Sequence, residues 1–216
     1  MFDVVQGRSA SDLDSYMRSL KGKEAVQVVC IDLSSSYKSI VKQHFPKAMI
    51  VADRFHVIRQ LNHQCLQAYQ QIAPGLKYQR GLLLALRMNP EKLTAKRLKQ
   101  RNDYFTEQPA IEAIYRFKQR LHQLLMYKHC TAKKCRRLIP IFLRRIAELK
   151  ASPFQSLKTL GNTLYQWREE IARMWRFTKS NGITEGFHRK MKLIQRRAYG
   201  FKNFDNYRLR VRVLCG

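Results

Sequence analysis

Three acidic residues stand where reactive carboxylates are useful. Asp32 ends the run AVQVVCID and Asp53 ends AMIVAD, so each follows a stretch dense in aliphatic and β-branched residues. Glu185 lies in SNGITEGFHRKMKLIQRRAYGF, just after the Asn181–Gly182 turn signal, and is followed by Arg189, Lys190, Lys192, Arg196, Arg197 and Lys202. Carboxylates aimed at a phosphate-binding face suit divalent-metal chemistry. Mg²⁺ prefers oxygen ligands and usually takes one or two carboxylates together with phosphate and water. A pair of such ions can activate an attacking hydroxyl and stabilise the leaving oxygen of a phosphodiester. Each carboxylate also has a plainer use. Asp32 can cap a helix starting at Ser34, Asp53 can join Arg54 and His56 in a local ion-pair network, and Glu185 can complement a helix dipole. Those uses explain the carboxylates but not the basic residues beside Glu185. Of the 15 acidic residues, only Glu185 and Asp205 lie beyond Glu170.

The whole chain shares that basic character. Its formal charge is +27, with 42 Lys and Arg, in 216 residues. Such an excess predicts a polyanionic partner, because each phosphate neutralised releases condensed counterion. A membrane surface would also attract it. A hydrophobic fraction of 45% argues for a folded protein and against a disordered basic tail. No apolar run approaches the roughly 18–20 residues of a spanning helix, and MFDVVQGRSA does not have the form of a signal peptide. The expectation is a soluble, cytoplasmic, nucleoid-associated protein. The five cysteines are scattered, which fits free thiols in a reducing compartment. His129, Cys130 and Cys135 match no structural zinc spacing, so no zinc is expected.

The elements that must position these groups fall into three stretches. Phe2–Val5 reads as a short strand ended by Gly7, and SASDLDSYMRSLKGK as a helix capped by Ser9 or Ser11. Ala25–Asp32 has the composition of a buried strand, SSSYKSIVKQHF that of a helix stopped by Pro46, and Ala48–Asp53 that of a second buried strand. Strand, helix, strand with short links is a βαβ unit, so the two strands should be parallel neighbours. From about His56 to Lys179 no strand-like alternation occurs, and IRQLNHQCLQAYQQI, LLLALRMN, AIEAIYRFKQRLHQLLMY and LIPIFLRRIAELK read as amphipathic helices, punctuated at Pro74–Gly75, Asn89–Pro90, Gln108–Pro109 and Ser152–Pro153. A closing basic helix should begin near Thr184 and carry Glu185 on its first turn. Phe187, Tyr199, Phe201, Phe204 and Tyr207 are interleaved with its cations. They could stack on unpaired bases or, at near-helical spacing, form core.

Two segments together resemble a known family. VVCIDLSSSYKSIVKQHFPKAMIVADRFHVIRQLN and SNGITEGFHRKMKLIQRRAYGFKNFDNYRLRVRVLC are similar to the bacterial DDE transposases of the ISL-three insertion-sequence family. The shared pattern is Asp-Leu-Ser-x-x-Tyr after a strand, Asp-Arg-Phe-His-Val after the next, then Ser-Asn-Gly-x-x-Glu-Gly and Arg-Arg-Ala-Tyr-Gly-Phe beyond a helical insertion. The resemblance implies an α/β fold that is mostly helical overall, a truncated ribonuclease-H-like core with a large all-helical insertion. Its parts would be residues 1–56 as partial core, 57–179 as insertion and 180–216 as the closing basic segment. It also implies a site that binds two Mg²⁺ or Mn²⁺ ions for DNA strand cleavage and transfer. Carried over by motif, Asp32 and Glu185 are catalytic metal ligands, while Asp53, Arg54 and His56 support the site structurally or by touching DNA. Arg189, Lys190, Lys192, Arg196, Arg197 and Lys202 would contact DNA.

One departure tempers that implication. The family's first catalytic Asp lies upstream of a segment resembling FDVVQGRS, which here starts at Phe2. Little activity is therefore expected of the chain alone. A homo-oligomer or an intact transposase is a further expected partner, and no membrane is. The competing expectations are a non-catalytic DNA-binding remnant or regulator, or, more weakly, an RNA-binding protein.

Overall fold

The structure is a computed structural model and describes residues 3–7, 9–177 and 182–215, the side chains of 182–185 excepted. The chain divides into two compact units, residues 1–53 with 179–216, and residues 54–178. It is mostly helical, with one two-stranded parallel sheet among the described residues. Among those residues no helix is long and apolar enough to cross a membrane.

In the first unit, helix α1 (Ala10–Ser19) starts with a capping box: the Ser9 hydroxyl accepts from the Asp12 N–H and the Asp12 carboxylate accepts from the Ser9 N–H. Strand β1 (Val28–Ile31) leads through helix α2 (Ser35–His44) to strand β2 (Met49–Ala52). The strands pair in parallel, with Val28 opposite Met49 and Ile31 opposite Ala52. Val51 and Ala52 are fully buried, and Ile40 and Val41 on the inner face of α2 are buried. Buried His44 on α2 meets the carboxylate of Asp14 on α1 at 3.3 Å.

Two sequence expectations for this unit need correction. The strand expected from Ala25 begins only at Val28, because Gly22 (φ 75°) turns the chain into a short 3-10 turn over Lys23–Ala25. The strand expected over Phe2–Val5 does not form in its described residues, 3–5. A strand needs a partner, and among the described residues β1 and β2 pair only with each other. Val4 instead packs on the C-terminal helices, and Asp3 forms a two-pronged ion pair with Arg208 at 2.7 and 2.9 Å.

The closing segment is a helix pair, not a single helix. Helix α10 (Gly182–Arg197) and helix α11 (Phe204–Cys215) pack on each other around Ile194, Tyr207, Val211 and Cys215. Between them the chain reverses at Tyr199 and Gly200, both with positive φ (52° and 97°).

The second unit is all helix. Its members are α3 (Arg54–Ile72), α4 (Arg80–Arg87), α5 (Ala95–Glu107), α6 (Pro109–Met126), α7 (Ala132–Lys150), α8 (Gln155–Gln166) and α9 (Arg168–Arg173). Helix α3 packs on α6 and α8, and α7 packs on α8. The α7–α8 approach is close because Gly161 has no side chain: a Cβ there would lie 3.0 Å from Leu149 and Lys150. Helix α7 continues through Pro140. Arg101 on α5 is buried; its guanidinium donates to the Tyr115 hydroxyl at 2.7 Å and lies over the Tyr115 and Phe105 rings. Lys118 on α6 is also buried and donates to the Leu86 and Arg87 carbonyls at the end of α4. These carbonyls are among the groups a helix C-terminus leaves without an intrahelical partner.

Candidate active site

Register decides what the two aspartates can do together. Ile31 lies opposite Ala52, and the Asp53 N–H extends the ladder by donating to the Ile31 carbonyl at 2.7 Å. Asp32 and Asp53 therefore leave the sheet side by side, at the carboxyl ends of parallel strands. The chain turns sharply after Asp32, whose carbonyl accepts from the Ser34 N–H at 2.7 Å. The cap of α2 is Ser34, whose hydroxyl accepts from the Tyr37 N–H. That corrects the plain reading of Asp32 as the residue that caps this helix.

Asp53 is almost fully buried, at 2% exposure, while Asp32 is half-buried. The chain runs on from Asp53 into the first turn of α3, which carries His56. One ligand atom from each of Asp32, Asp53 and His56 lies within 4.8 Å of the others. Two carboxylate oxygens and an imidazole can hold a divalent cation. Sequence reasoning gave Asp53 and His56 only a supporting place. The missing signal was the strand register, which turns two aspartates 21 residues apart into neighbours.

Arg54 and Phe55 take other parts. The Arg54 guanidinium donates to the carbonyls of Leu125, Tyr127 and Met174 at 2.7–3.1 Å, tying the end of α6 to the segment after α9. This is a structural clamp. Phe55 is exposed and meets the His56 ring edge-on at 5.4 Å.

Glu185 is the fourth residue of α10, on its first turn. Its side chain lies outside the described residues, and so does its separation from Asp32. Downstream, Arg189, Lys190, Lys192, Arg196, Arg197 and Lys202 are all exposed. Helical spacing explains the sorting. Phe187, Met191 and Ile194 recur at three and four residues on the face packed against α11, which turns the cations outward. Phe201, Phe204 and Tyr207 belong to the same apolar cluster, with ring centroids 5.3 and 6.3 Å apart around Tyr207. For these three, core is the answer.

The comparisons with known proteins agree on one family. The family model for DDE transposases of the ISL3 group, described as a transposase, matches residues 1–211. The chain is 26% identical over 228 aligned residues to the transposase for insertion sequence element IS1001 of Bordetella parapertussis. That alignment takes in 97% of this chain and 53% of the relative, so the chain spans about half the length of the curated relative it matches. No solved structure matches the chain. Residues 1–211 carry the family's pattern nearly from end to end, and the chain belongs to the ISL3-family transposases.

Proposed function

We propose that the chain belongs to a ribonuclease-H-like transposase core, interrupted by the helical stretch 57–179 and serving metal-dependent DNA strand cleavage and transfer. The observation that carries this reading is the emergence of Asp32 and Asp53 together at the carboxyl ends of a parallel strand pair, in a chain of this family. Ligands and reactive groups gather at that edge of open α/β sheets. The donor set fits Mg²⁺ or Mn²⁺: hard carboxylate oxygens from Asp32 and Asp53, with His56 beside them. Glu185 is assigned as a further carboxylate ligand by its place in the family motif. A bound ion supplies Lewis acidity and charge neutralisation at a phosphodiester.

The chain's own residues do the positioning. Asp32 offers its carboxylate from a turn held by the Ser34 N–H, and buried Asp53 is held by its place at the end of β2. Arg189, Lys190, Lys192, Arg196, Arg197 and Lys202 grip backbone phosphates. Six such contacts give log K a slope of about −5 against log salt. The setting is the bacterial cytoplasm, on the nucleoid, with further copies or a longer transposase as protein partners. The chain binds DNA through this face.

Manganese titration followed by electron paramagnetic resonance tests the site. Bound Mn²⁺ should be lost in Asp32→Ala and weakened in Asp53→Asn and Glu185→Gln. Equal binding by the parent and Asp32→Ala defeats the assignment.

A second reading, a non-catalytic DNA-binding regulator, is favoured by one observation: the exposed basic face of α10. It expects salt-dependent DNA binding that Glu185→Ala leaves unchanged or strengthens. Manganese-dependent nicking of transposon-end DNA that vanishes with Asp32→Ala and with Glu185→Ala would rule it out.

A further inference from the structure

One aromatic of the closing segment does not join the core. Phe187, Phe201, Phe204 and Tyr207 pack in or against the α10–α11 cluster, whereas Tyr199 is 101% exposed. Its backbone is unusual as well. Tyr199 and His129 are the described non-glycine residues with positive φ, and at Tyr199 the value is 52°. The Gly200 N–H donates to the Gln195 carbonyl at 3.0 Å and the Tyr199 N–H to that of Arg196 at 3.1 Å. This paired arrangement ends a helix with a left-handed residue, a position glycine usually takes. Here glycine stands one place later and the left-handed position falls on a bulky tyrosine. The space beyond is open, since a Cβ on Gly200 would meet nothing within 4 Å. A large ring is thus held in solvent, in a disfavoured backbone conformation, with no packing to stabilise it.

Its surroundings indicate what the ring meets. Arg196 and Arg197 are exposed on the last turn before it, and Lys202 is exposed just after Phe201. Cations that hold a backbone, with an aromatic ring projecting between them, are the parts from which single-stranded nucleic-acid sites are built. A duplex keeps its base faces covered by stacking, so a protruding ring has a partner only where a base is unpaired. Resting on the DNA-binding reading above, we propose that Tyr199 stacks on an unpaired base of the DNA strand whose phosphates Arg196, Arg197 and Lys202 hold. The disfavoured backbone aims the ring away from the α10–α11 core. Stacking needs the ring and not the hydroxyl, so phenylalanine should serve and small residues should not.

The test uses the full chain, a short oligothymidine single strand and a duplex of mixed sequence, with binding followed by fluorescence anisotropy. Tyr199→Gly should weaken single-strand binding about ten- to hundredfold and leave duplex binding and the salt slope of the remainder unchanged. Tyr199→Phe should bind like the parent. A 2-aminopurine placed in the strand should be quenched by the parent and by Tyr199→Phe, and not by Tyr199→Gly. Because glycine suits the left-handed position, Tyr199→Gly should also raise the melting temperature, so lost binding cannot be ascribed to misfolding. If Tyr199→Gly binds the single strand as tightly as the parent while the Arg196→Gln, Arg197→Gln double variant binds both DNAs weakly, the stacking assignment is overturned. If that double variant changes neither DNA, the DNA-contact reading of this helix end fails instead. Tighter, Tyr199-dependent binding of the matching RNA would overturn the assignment to DNA.

Discussion

The helical unit and the sheet-bearing unit treat polar groups in opposite ways. In residues 54–178, three cationic side chains, of which Arg101 and Lys118 are buried, are consumed by the architecture. Arg54 clamps three carbonyls, Arg101 lies against two aromatic rings, and Lys118 caps α4 from a site only 2% exposed. In the other unit the cations of α10 stand in solvent and two aspartates collect at one sheet edge. The helical unit also holds the bulkiest fully buried side chains, Trp175, Tyr69, Lys118 and Phe142 among them, whereas three of the four β1 residues are only partly buried. A region that uses its charges internally is organised for stability. One that leaves them presented is available for ligands.

The contrast can be broken most forcefully at Trp175, which is fully buried and meets Phe142 edge-on at 5.7 Å. Trp175→Ala should cost about 3–5 kcal/mol, read by urea denaturation. The smaller truncation Val211→Ala in the α10–α11 cluster should cost less, about 1–3 kcal/mol. A loss at Trp175 no larger than that at Val211 would show that the helical core is loosely packed around the indole. Next comes Gly161→Ala, which forces a methyl group to within 3.0 Å of Leu149 and Lys150. A loss of about 1–3 kcal/mol is expected, and an unchanged denaturation midpoint would show that α7 and α8 can part without cost.

A pH series sharpens the same contrast. Burial pushes the Lys118 amine down from 10.5 to about 8 and the Cys65 thiol up from 9.0 to about 12. Between about pH 8 and 9 the unfolded chain holds the lysine proton more firmly than the folded one, so stability rises with pH by up to about 1 kcal/mol. Above about pH 9 the unfolded thiol loses a proton that the folded one keeps, which opposes the rise. Buried Tyr69, whose hydroxyl is held well above its usual value, adds to that opposition above pH 10. Stability should therefore pass through a maximum between about pH 9 and 10. Cys65→Ala should carry the rise further, and a curve that falls steadily from pH 8 would contradict the buried-amine account.

The smallest effect belongs to the presented unit. The Arg208 guanidinium holds the Asp3 carboxyl down at about 2. Its contribution is complete above the ordinary carboxylate value of 3.8 and fades as pH falls from there toward 2. Asp3→Asn should remove this acid sensitivity and free the N-terminal segment from α11, seen as faster hydrogen exchange at Val4 and Val5. Unchanged exchange would mean that apolar packing of Val4 suffices.

How much of this could be read from the chain depended on where the deciding contacts lie. The βαβ unit was legible because its apolar runs, its helix and Pro46 are all local signals, and parallel pairing follows from the crossover. The strand expected over Phe2–Val5 was not, because a strand is completed by a neighbour and residues 3–5 find none. Helix α5 gave little amphipathic signal since one of its two buried residues is Arg101. Lys118 falls on the buried face of α6, where a lysine normally argues for solvent. The reversal at Tyr199 was half visible: Gly200 announces a break, but the left-handed position falls one residue earlier. At the candidate site, Asp32 and Glu185 came from their motifs, and the Asp32–Asp53 proximity needed a register that no local pattern contains.

Pro140 has a consequence for motion. Proline has no N–H, so the carbonyl one turn earlier, at Arg136, loses its usual helical donor although α7 continues. The ladder of α7 is thereby divided in two. The C-terminal half is pinned by Ile146 and Leu149, both buried, the latter beside Gly161. The N-terminal half, rich in Lys and Arg, buries only Leu138. Helix α7 should breathe from its basic end, with amides before Pro140 opening well ahead of those after it. A positively charged stretch of about two turns would then fray and re-form while the rest of the helical unit stays closed.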